Sequence, residues 1–339
     1  MNKKLNTTFV KLVNLLSDGQ YHDGTTLGDV LSVTRSAVWK MIKKLEHYQV
    51  KIDSVKGKGY ALSQPLILLD ADAIKRDCYQ AIDIHLFESV DSTNAYLKTI
   101  NHKNQMTVCL AEQQTSGRGR FHREWYSPFA KNIYVSCLYS FQKDVSELSG
   151  LSLVMSLAIV KTLKAFGIDE KCGVKWPNDI LYDTKKISGS LIEIQAETHG
   201  AMHAIIGIGI NVNMLQHEAH DIPQAWSSMQ QILNRYVNRN EVCVSLLNNL
   251  FDYLQKFAEQ GLAPFVSEWK AVDTLLDQCI ALTNGNETVL GRAAGIENQG
   301  RLLLQLEGGK IRAFSSGDTS VVKGSVVPSP PTLLIGGEG

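Results

Sequence analysis

Two glycines alternate with two arginines in Thr115-Ser116-Gly117-Arg118-Gly119-Arg120, and well downstream come Lys175-Trp176-Pro177-Asn178-Asp179 and Lys186-Ile187-Ser188-Gly189. A backbone of the first kind closes readily over an anion, and its guanidinium groups donate paired hydrogen bonds to phosphate or carboxylate. The second block sets Lys175, Asn178 and Asp179 around a rigid Trp-Pro turn and adds Lys186. That set suits a triphosphate, its metal ion and a carboxylate being activated. Neither block is a P-loop, because no Gly-x-x-x-x-Gly-Lys-[Ser/Thr] occurs.

The 339 residues predict two or three domains with ample core. A formal charge of zero excludes a global field for nucleic acid or membrane. Residues 1–60 depart from that balance, with ten Lys/Arg against five Asp/Glu. The six cysteines, at 78, 109, 137, 172, 243 and 279, form no Cys-x-x-Cys pair, which argues for reduced buried thiols rather than zinc. No signal-peptide core follows the N-terminus and no long uninterrupted apolar run occurs. The expectation is a cytoplasmic protein without a membrane partner.

The N-terminal segment reads as three helices and a hairpin. Phe9 to Leu16 is apolar on a helical period and ends at Asp18-Gly19; Thr25 or Thr26 caps a second helix through Leu31. Thr34 caps a third, Arg35 to Tyr48, whose Ala37, Val38, Met41, Ile42 and Leu45 form one stripe. Its outer face keeps Arg35, Ser36, Trp39, Lys40 and Lys43. Val50–Val55 and Tyr60–Leu62 then flank Lys56-Gly57-Lys58-Gly59, a wing with lysines at its tip. This is the helix-turn-helix arrangement, with a second helix suited to the major groove; a small helical domain with a merely solvated basic face is the alternative.

Ser63-Gln64-Pro65 marks a boundary. Strands are predicted at His85–Val90, Met106–Glu112, Ile133–Tyr139, Gly173–Lys175, Ile180–Tyr182, Gly189–Gln195 and His203–Val212, and helices at Leu148–Phe166 and Val242–Glu259. Hairpin-like pairs beside helices predict an α+β fold with a mixed sheet. From Cys279 to Val322 the turns Asn284-Gly285-Asn286, Asn298-Gln299-Gly300 and Gly308-Gly309 space short strands as in a small β-barrel. The Pro/Gly-rich tail from Val326 predicts disorder.

With Ser92-Thr93-Asn94, Ala111-Glu112-Gln113-Gln114, Trp125-Tyr126-Ser127-Pro128 and Gly207-Ile208-Gly209-Ile210-Asn211-Val212-Asn213, these blocks resemble the biotin–protein ligases. The N-terminal region makes the likeness one to the bifunctional bacterial type, a ligase that is also the biotin operon repressor. The resemblance runs from about residue 7 to about residue 320 and rests on motif order and spacing. It implies a winged helix-turn-helix over 1–65, a mixed-sheet catalytic domain of the biotin/lipoate ligase type over 66–275, an SH3-like β-barrel over 276–325 and a tail over 326–339. It also implies biotinyl-5′-adenylate formation from biotin and ATP with Mg²⁺, without a tightly bound prosthetic group. Transfer to a lysine of the biotin carboxyl carrier protein of acetyl-CoA carboxylase would follow. Operator DNA of biotin biosynthesis genes and an adenylate-bound homodimer are the remaining implied partners.

On this reading Lys186 neutralises charge between carboxylate and α-phosphate, and Arg118 and Arg120 clamp the anions on a loop that orders with ligand. Ser92, Thr93, Asn94 and Gln114 receive the ureido group, Trp125 covers the ring system, and Gly119 and Gly189 allow close approach. Lys175, Asn178, Asn211 and Trp226 serve ATP or the adenylate, and Asp179 serves Mg²⁺. Thr34, Arg35, Ser36, Trp39, Lys40, Lys43, Lys56 and Lys58 face DNA. Ser92–Asn94 also reads as an ordinary helix cap. Gly207–Asn213 has Val212 where a dinucleotide motif needs glycine, so it reads as a strand whose glycines leave room for ligand. The family's C-terminal arginine position holds Val322, with Lys323 as a substitute. Gly189–Glu197 is the expected edge strand of a dimer. A lipoate–protein ligase, a ligand-sensing transcription factor without ligase activity, and a ligase with a vestigial N-terminal domain are the competing readings.

Overall fold

The computed structural model describes residues 3–100, 106–196, 202–219 and 222–322. Lys323, Glu197 and the tail from 326 lie outside them.

Three helices and a two-stranded wing form the N-terminal unit: α1 (Thr7–Leu16), α2 (Gly24–Leu31), α3 (Arg35–His47), β2 (Ile52–Val55) and β3 (Gly59–Leu62), preceded by β1 (Lys3–Lys4). Asn6 caps α1, and Thr34 Oγ1 caps α3 by accepting from the Ala37 amide at 3.2 Å. The cap of α2 is Asp23, not Thr25 or Thr26: its carboxylate accepts from both threonine amides, at 2.8 and 3.3 Å. An ionised acceptor outcompetes the hydroxyls there. The α2–α3 turn is tight. Ser32 is left-handed at φ 53°, and a Cβ on Gly28 would stand 2.8 Å from the Val33 carbonyl.

The central unit comprises α4 (Ala71–Asp77), β4 (Asp83–Ser89), α5 (Thr93–Leu97), β5 (Thr107–Ala111), β6 (Ile133–Phe141), α6 (Leu151–Ala165), β7 (Cys172–Lys175), β8 (Asp179–Tyr182), β9 (Lys185–Ala196), β10 (Met202–Ile210), α7 (Met229–Leu233), α8 (Arg239–Gln260) and α9 (Val266–Val272). Its eight-stranded sheet runs β1-β4-β5-β6-β10-β9-β8-β7. Only β4 and β5 pair in parallel; the other pairs are antiparallel, which makes the sheet mixed. The apolar side chains Ile206, Ile208 and Ile210 of β10 join the core built around α6 and α8. The opposite face carries the glycines. Val145–Ala165, which includes α6, is long and apolar enough by composition to cross a membrane, but most of its apolar stretch is buried in the core.

The C-terminal unit is a five-stranded antiparallel sheet of SH3-like form: β11 (Cys279–Asn284), β12 (Glu287–Ile296), β13 (Leu302–Gln305), β14 (Ile311–Phe314) and β15 (Asp318–Val321), ordered β14-β13-β12-β11-β15. All six cysteines are free thiols, five of them buried.

Two joints cross the boundary expected at residues 63–65. β1 pairs with β4 in the central sheet, and Leu66, Leu68, Phe129 and Ala130 belong to the core of the helix-turn-helix. The buried Glu88 carboxylate accepts from Lys44 Nζ at 2.5 Å and from the Tyr48 hydroxyl at 2.6 Å, while Tyr48 stacks on Phe129 with ring centroids 4.2 Å apart. The end of α3 is thereby fastened to the ligand-bearing sheet.

A buried ion pair organises the linker. Arg239 Nη1 stands 2.7 Å from Glu112 Oε2, both residues fully buried, and Arg239 also donates to the carbonyls of Asn132 and Ile67. Glu112 accepts from the Leu69 amide at 2.5 Å. Removing one partner strands a buried charge, so Arg239→Ala is expected to cost about 3–5 kcal/mol. The measurement is the denaturant midpoint, and an unchanged midpoint would contradict the assigned role.

Candidate functional site

The ligand face of the sheet is built from missing side chains. Gly207 lies opposite Ser136 of β6 and Leu191 of β9, and Gly209 lies opposite Gly189. Cross-strand partners share a face, so Gly189, Gly207 and Gly209 form one bare floor. In this structure the space over two of them is filled from within the chain. A Cβ on Gly207 would stand 2.2 Å from Asn94 Oδ1, and one on Gly209 would stand 2.3 Å from the Trp125 indole. Gly207 and Gly209 thus admit Asn94 and Trp125, two of the side chains expected to line the ligand.

At one end of the floor, Ser92 caps α5 and Thr93 and Asn94 form its first turn, all three buried. Cap and site coexist because the same short polar side chains serve the helix and line the sheet. Gln114 Oε1 accepts from the Thr93 amide and hydroxyl at 2.9 and 3.1 Å, and its amide nitrogen donates to Ser127 Oγ at 3.2 Å. Ser136, fully buried in the apolar run of β6, donates toward Thr93 Oγ1 at 2.7 Å and Asn94 Oδ1 at 2.6 Å. The sequence reading missed Ser136; its signal was a serine inside the otherwise apolar first half of Ile133–Phe141.

At the other end the charges gather. Lys186 Nζ pairs with Asp179 Oδ1 at 2.6 Å, above Gly189, and lies 5.4 Å from the Trp125 ring centroid. Asn178 accepts from Arg120 at 3.1 Å and donates to the Ser190 carbonyl at 2.6 Å. Arg120 also donates to the Gly317 carbonyl at 3.2 Å, and Arg123 pairs with Asp318, so the C-terminal unit grips the arginine loop through contacts that sequence reading did not find. Burial pulls the Arg120 guanidinium down, opposed by Asp318 and Asp179. Burial likewise lowers the Lys175 ammonium, opposed by Asp179. Both are cations held partly out of water, a state that an arriving anion relieves.

The loop itself is folded. Gly117 O accepts from the Trp125 amide at 2.9 Å, and Gly119 N donates to Arg123 O at 2.7 Å. Gly117 is required by packing: a Cβ there would meet Trp125 O at 2.5 Å. Arg118 is exposed, whereas Arg120 turns inward. Two expected nucleotide residues hold the scaffold. Asn211 Nδ2 donates to the Ser227 carbonyl at 3.1 Å, and the buried Trp226 packs with Met214 and Ala219. The segment around Trp226 grips Lys186, whose amide donates to Ala225 O and whose carbonyl accepts from Ser227 N, both at 2.9 Å.

Thr34, Arg35, Ser36, Trp39, Lys40, Lys43, Lys56 and Lys58 are all exposed. Thr34 is committed to its cap, Lys43 pairs with Glu46 at 2.6 Å, and Lys58 lies 5.9 Å from the Tyr21 ring. The edge-strand expectation needs correction. β9 pairs with β8 from Lys185 to Gly189 and with β10 from Ser188 onward, so Ser188 and Gly189 have strands on both sides. From Leu191 onward β10 alone pairs with it, and the other backbone edge has no neighbouring strand among the described residues.

The biotin/lipoate A/B protein ligase family matches residues 86–211, the biotin protein ligase C-terminal domain matches 276–322 and a helix-turn-helix domain matches 10–61. The chain is 36% identical to the bifunctional ligase/repressor BirA of Salmonella typhimurium over 93% of its own length and 98% of that protein's. It is 35% identical to the Escherichia coli protein of the same name, over 94% and 98%. Among solved structures, biotin protein ligase from Aquifex aeolicus in complex with biotin and ATP covers 71% of this chain and 98% of its own, with a TM-score of 0.61 at 29% identity.

Proposed function

The chain belongs to the biotin protein ligases, in the bifunctional branch that joins ligase to repressor, and from that premise we propose how its residues divide the work. It activates biotin with ATP and transfers the biotinyl group to an acceptor lysine. A carboxylate oxygen of biotin attacks the α-phosphorus and the bond to pyrophosphate breaks, giving the adenylate. The acceptor amine then attacks the activated carbonyl and AMP leaves. No enzyme nucleophile is needed; the requirement is to hold two anions together and keep water from the mixed anhydride.

The observation that carries this division is the polarity of the floor. Hydrogen-bonding groups (Ser92, Thr93, Asn94, Gln114) stand at one end, and Lys186, Lys175 and Arg120 gather around Asp179 at the other. The ureido ring takes the first end and Trp125 covers it; Arg118 closes from solvent. Carboxylate and phosphates take the second, where the anion displaces Asp179 from Lys186. Gly119 and Gly189 permit the approach, and Asn178 orients Arg120. Asn211 and Trp226 act on the nucleotide half through the backbone of Lys186. Mg²⁺ fits as an ion carried in on the phosphates: Asp179 supplies a hard oxygen, and this ion is commonly held by one or two carboxylates plus substrate.

Residues 1–65 form the DNA-reading unit, 66–275 the catalytic unit and 276–325 a clasp on the arginine loop. The carboxyl carrier protein of acetyl-CoA carboxylase is the acceptor, and operator DNA of biotin biosynthesis genes is the second partner. The adenylate-bound chain pairs through the free edge beginning at Leu191, giving the two-fold form that helix-turn-helix sites use. Free thiols accord with a cytoplasmic setting. Incubation with ATP, an acceptor domain and either biotin or lipoate tests the reading, with adenylate and product both measured. Labelling by lipoate alone would overturn it.

The Gly117–Arg120 loop is expected to be cut by protease more slowly with biotin and ATP than without. Phosphate gives Arg118 and Arg120 an ionic partner, which lowers the population of open loop states. Equal cleavage rates would remove the clamp from the mechanism.

A further inference from the structure

Asn94 presents a side-chain amide whose two ends have the same shape but opposite hydrogen-bonding character, so its partners decide which end meets a ligand. Here Oδ1 is the end nearer the floor, 2.2 Å from where a Cβ on Gly207 would stand against 3.1 Å for Nδ2, and it lies 2.6 Å from Ser136 Oγ. Ser136 does not decide that orientation, since a hydroxyl donates or accepts equally well. The other end decides it. Nδ2 donates to Glu193 Oε2 at 2.9 Å and to the Leu191 carbonyl at 3.3 Å, and both are acceptors only. Glu193 is held in turn by Lys98, whose ammonium stands 2.6 Å from Oε1. Its carboxyl sits below the usual carboxylate range: burial raises it, but the hydrogen bonds from Lys98 and Asn94 and the charges of Lys98 and Arg118 outweigh burial. The group is therefore an ionised acceptor at neutral pH.

We infer that Glu193 is a positioning residue that sets ligand specificity: by holding Nδ2 of Asn94 it keeps Oδ1 over the floor, so that this end of the site takes a ring bearing an N–H donor. The inference rests on the biotin-ligase reading and deepens it by naming what separates a cyclic urea from a dithiolane. The hydrogen count supports it. Thr93 gives its own proton to Gln114 Oε1, and the single proton of Ser136 then faces two acceptors, Thr93 Oγ1 at 2.7 Å and Asn94 Oδ1 at 2.6 Å. A ring N–H donating to Oδ1 lets Ser136 serve Thr93, and every group is satisfied. A sulfur ring supplies no such donor, and an acceptor left unmatched in a buried site is costly.

The test is biotin-dependent pyrophosphate exchange with the full chain and its Glu193→Ala, Glu193→Gln, Asn94→Ala and doubly substituted Asn94→Ala/Glu193→Ala forms. Glu193→Ala is expected to raise KM for biotin about tenfold, with kcat within about twofold and KM for ATP unchanged. Glu193→Gln should fall between, because glutamine can hold either end of the Asn94 amide. Since Glu193 acts through Asn94, the double form should be no worse than Asn94→Ala. An unchanged biotin KM in folded Glu193→Ala, a loss falling on kcat, or additive losses in the double form would each overturn the inference while leaving the ligase reading in place. Absence of biotin-dependent exchange in the unsubstituted chain would remove both.

Discussion

Lys186→Ala is expected to lose adenylate synthesis by about three orders of magnitude while the fold persists, in the range seen when a preorganised group facing transition-state charge is removed. The ammonium is held by Asp179 at 2.6 Å above a glycine, so nothing but the ligand need enter for the carboxylate–phosphate junction to reach it. Its backbone is pinned by Ala225 and Ser227, which leaves the side chain free to change partner at little cost in order. Alanine retains those backbone bonds, so thermal stability should change little. Adenylate formation is the measurement, with the melting curve as control. Near-normal synthesis by a folded variant would take Lys186 out of the chemistry.

DNA binding is expected to require biotin and ATP and to fall steeply with salt. One unit exposes Arg35, Lys40, Lys43, Lys56 and Lys58. If each meets a phosphate, the slope of log affinity against log salt is about −4.5 for one unit and about −9 for two. A single unit binds poorly at physiological ionic strength; two joined across a dimer bind through raised effective concentration. Adenylate supply then sets operator occupancy, and acceptor protein lowers it by consuming the adenylate. Footprinting a biotin-gene promoter with and without biotin and ATP checks this, and identical footprints would end the repressor switch. Deleting residues 1–64 should abolish the footprint. Adenylate synthesis should survive, but in a less stable protein, since the cut bares Phe129, Ala130 and Glu88 and strips β1 from the sheet edge. Arg35→Ala with Lys40→Ala, both on the open face of α3, separates lost DNA contact from lost stability.

Much of this was legible in the chain because the signals are local. Helical periodicity and the Thr34 cap placed α3, strand alternation placed the sheet segments, and paired glycines placed the C-terminal turns. The arginine loop and the Lys175–Gly189 block could be found because glycine, proline and charged residues at close spacing announce backbone and charge requirements. Asp23 displaced the predicted threonine caps because the two kinds of cap differ by two residues and by charge, a competition that propensity alone does not settle.

The kind of elements, their order and the chemistry available at each motif follow from neighbouring residues alone. Which residues meet follows from packing. Ser136 and Glu193 stand in apolar strand runs and look inert there, yet antiparallel pairing and the fold of α5 bring both onto Asn94. Glu88 meets Tyr48 across 40 positions, and Arg120 meets Gly317 across 197. The edge of β9 is covered at its start and open from Leu191 because β8 is short. The physical reason is common to all of these. Local propensity depends on neighbours within a turn or a strand, whereas a hydrogen bond, a stacked ring or a free strand edge depends on register and packing between segments far apart in the chain.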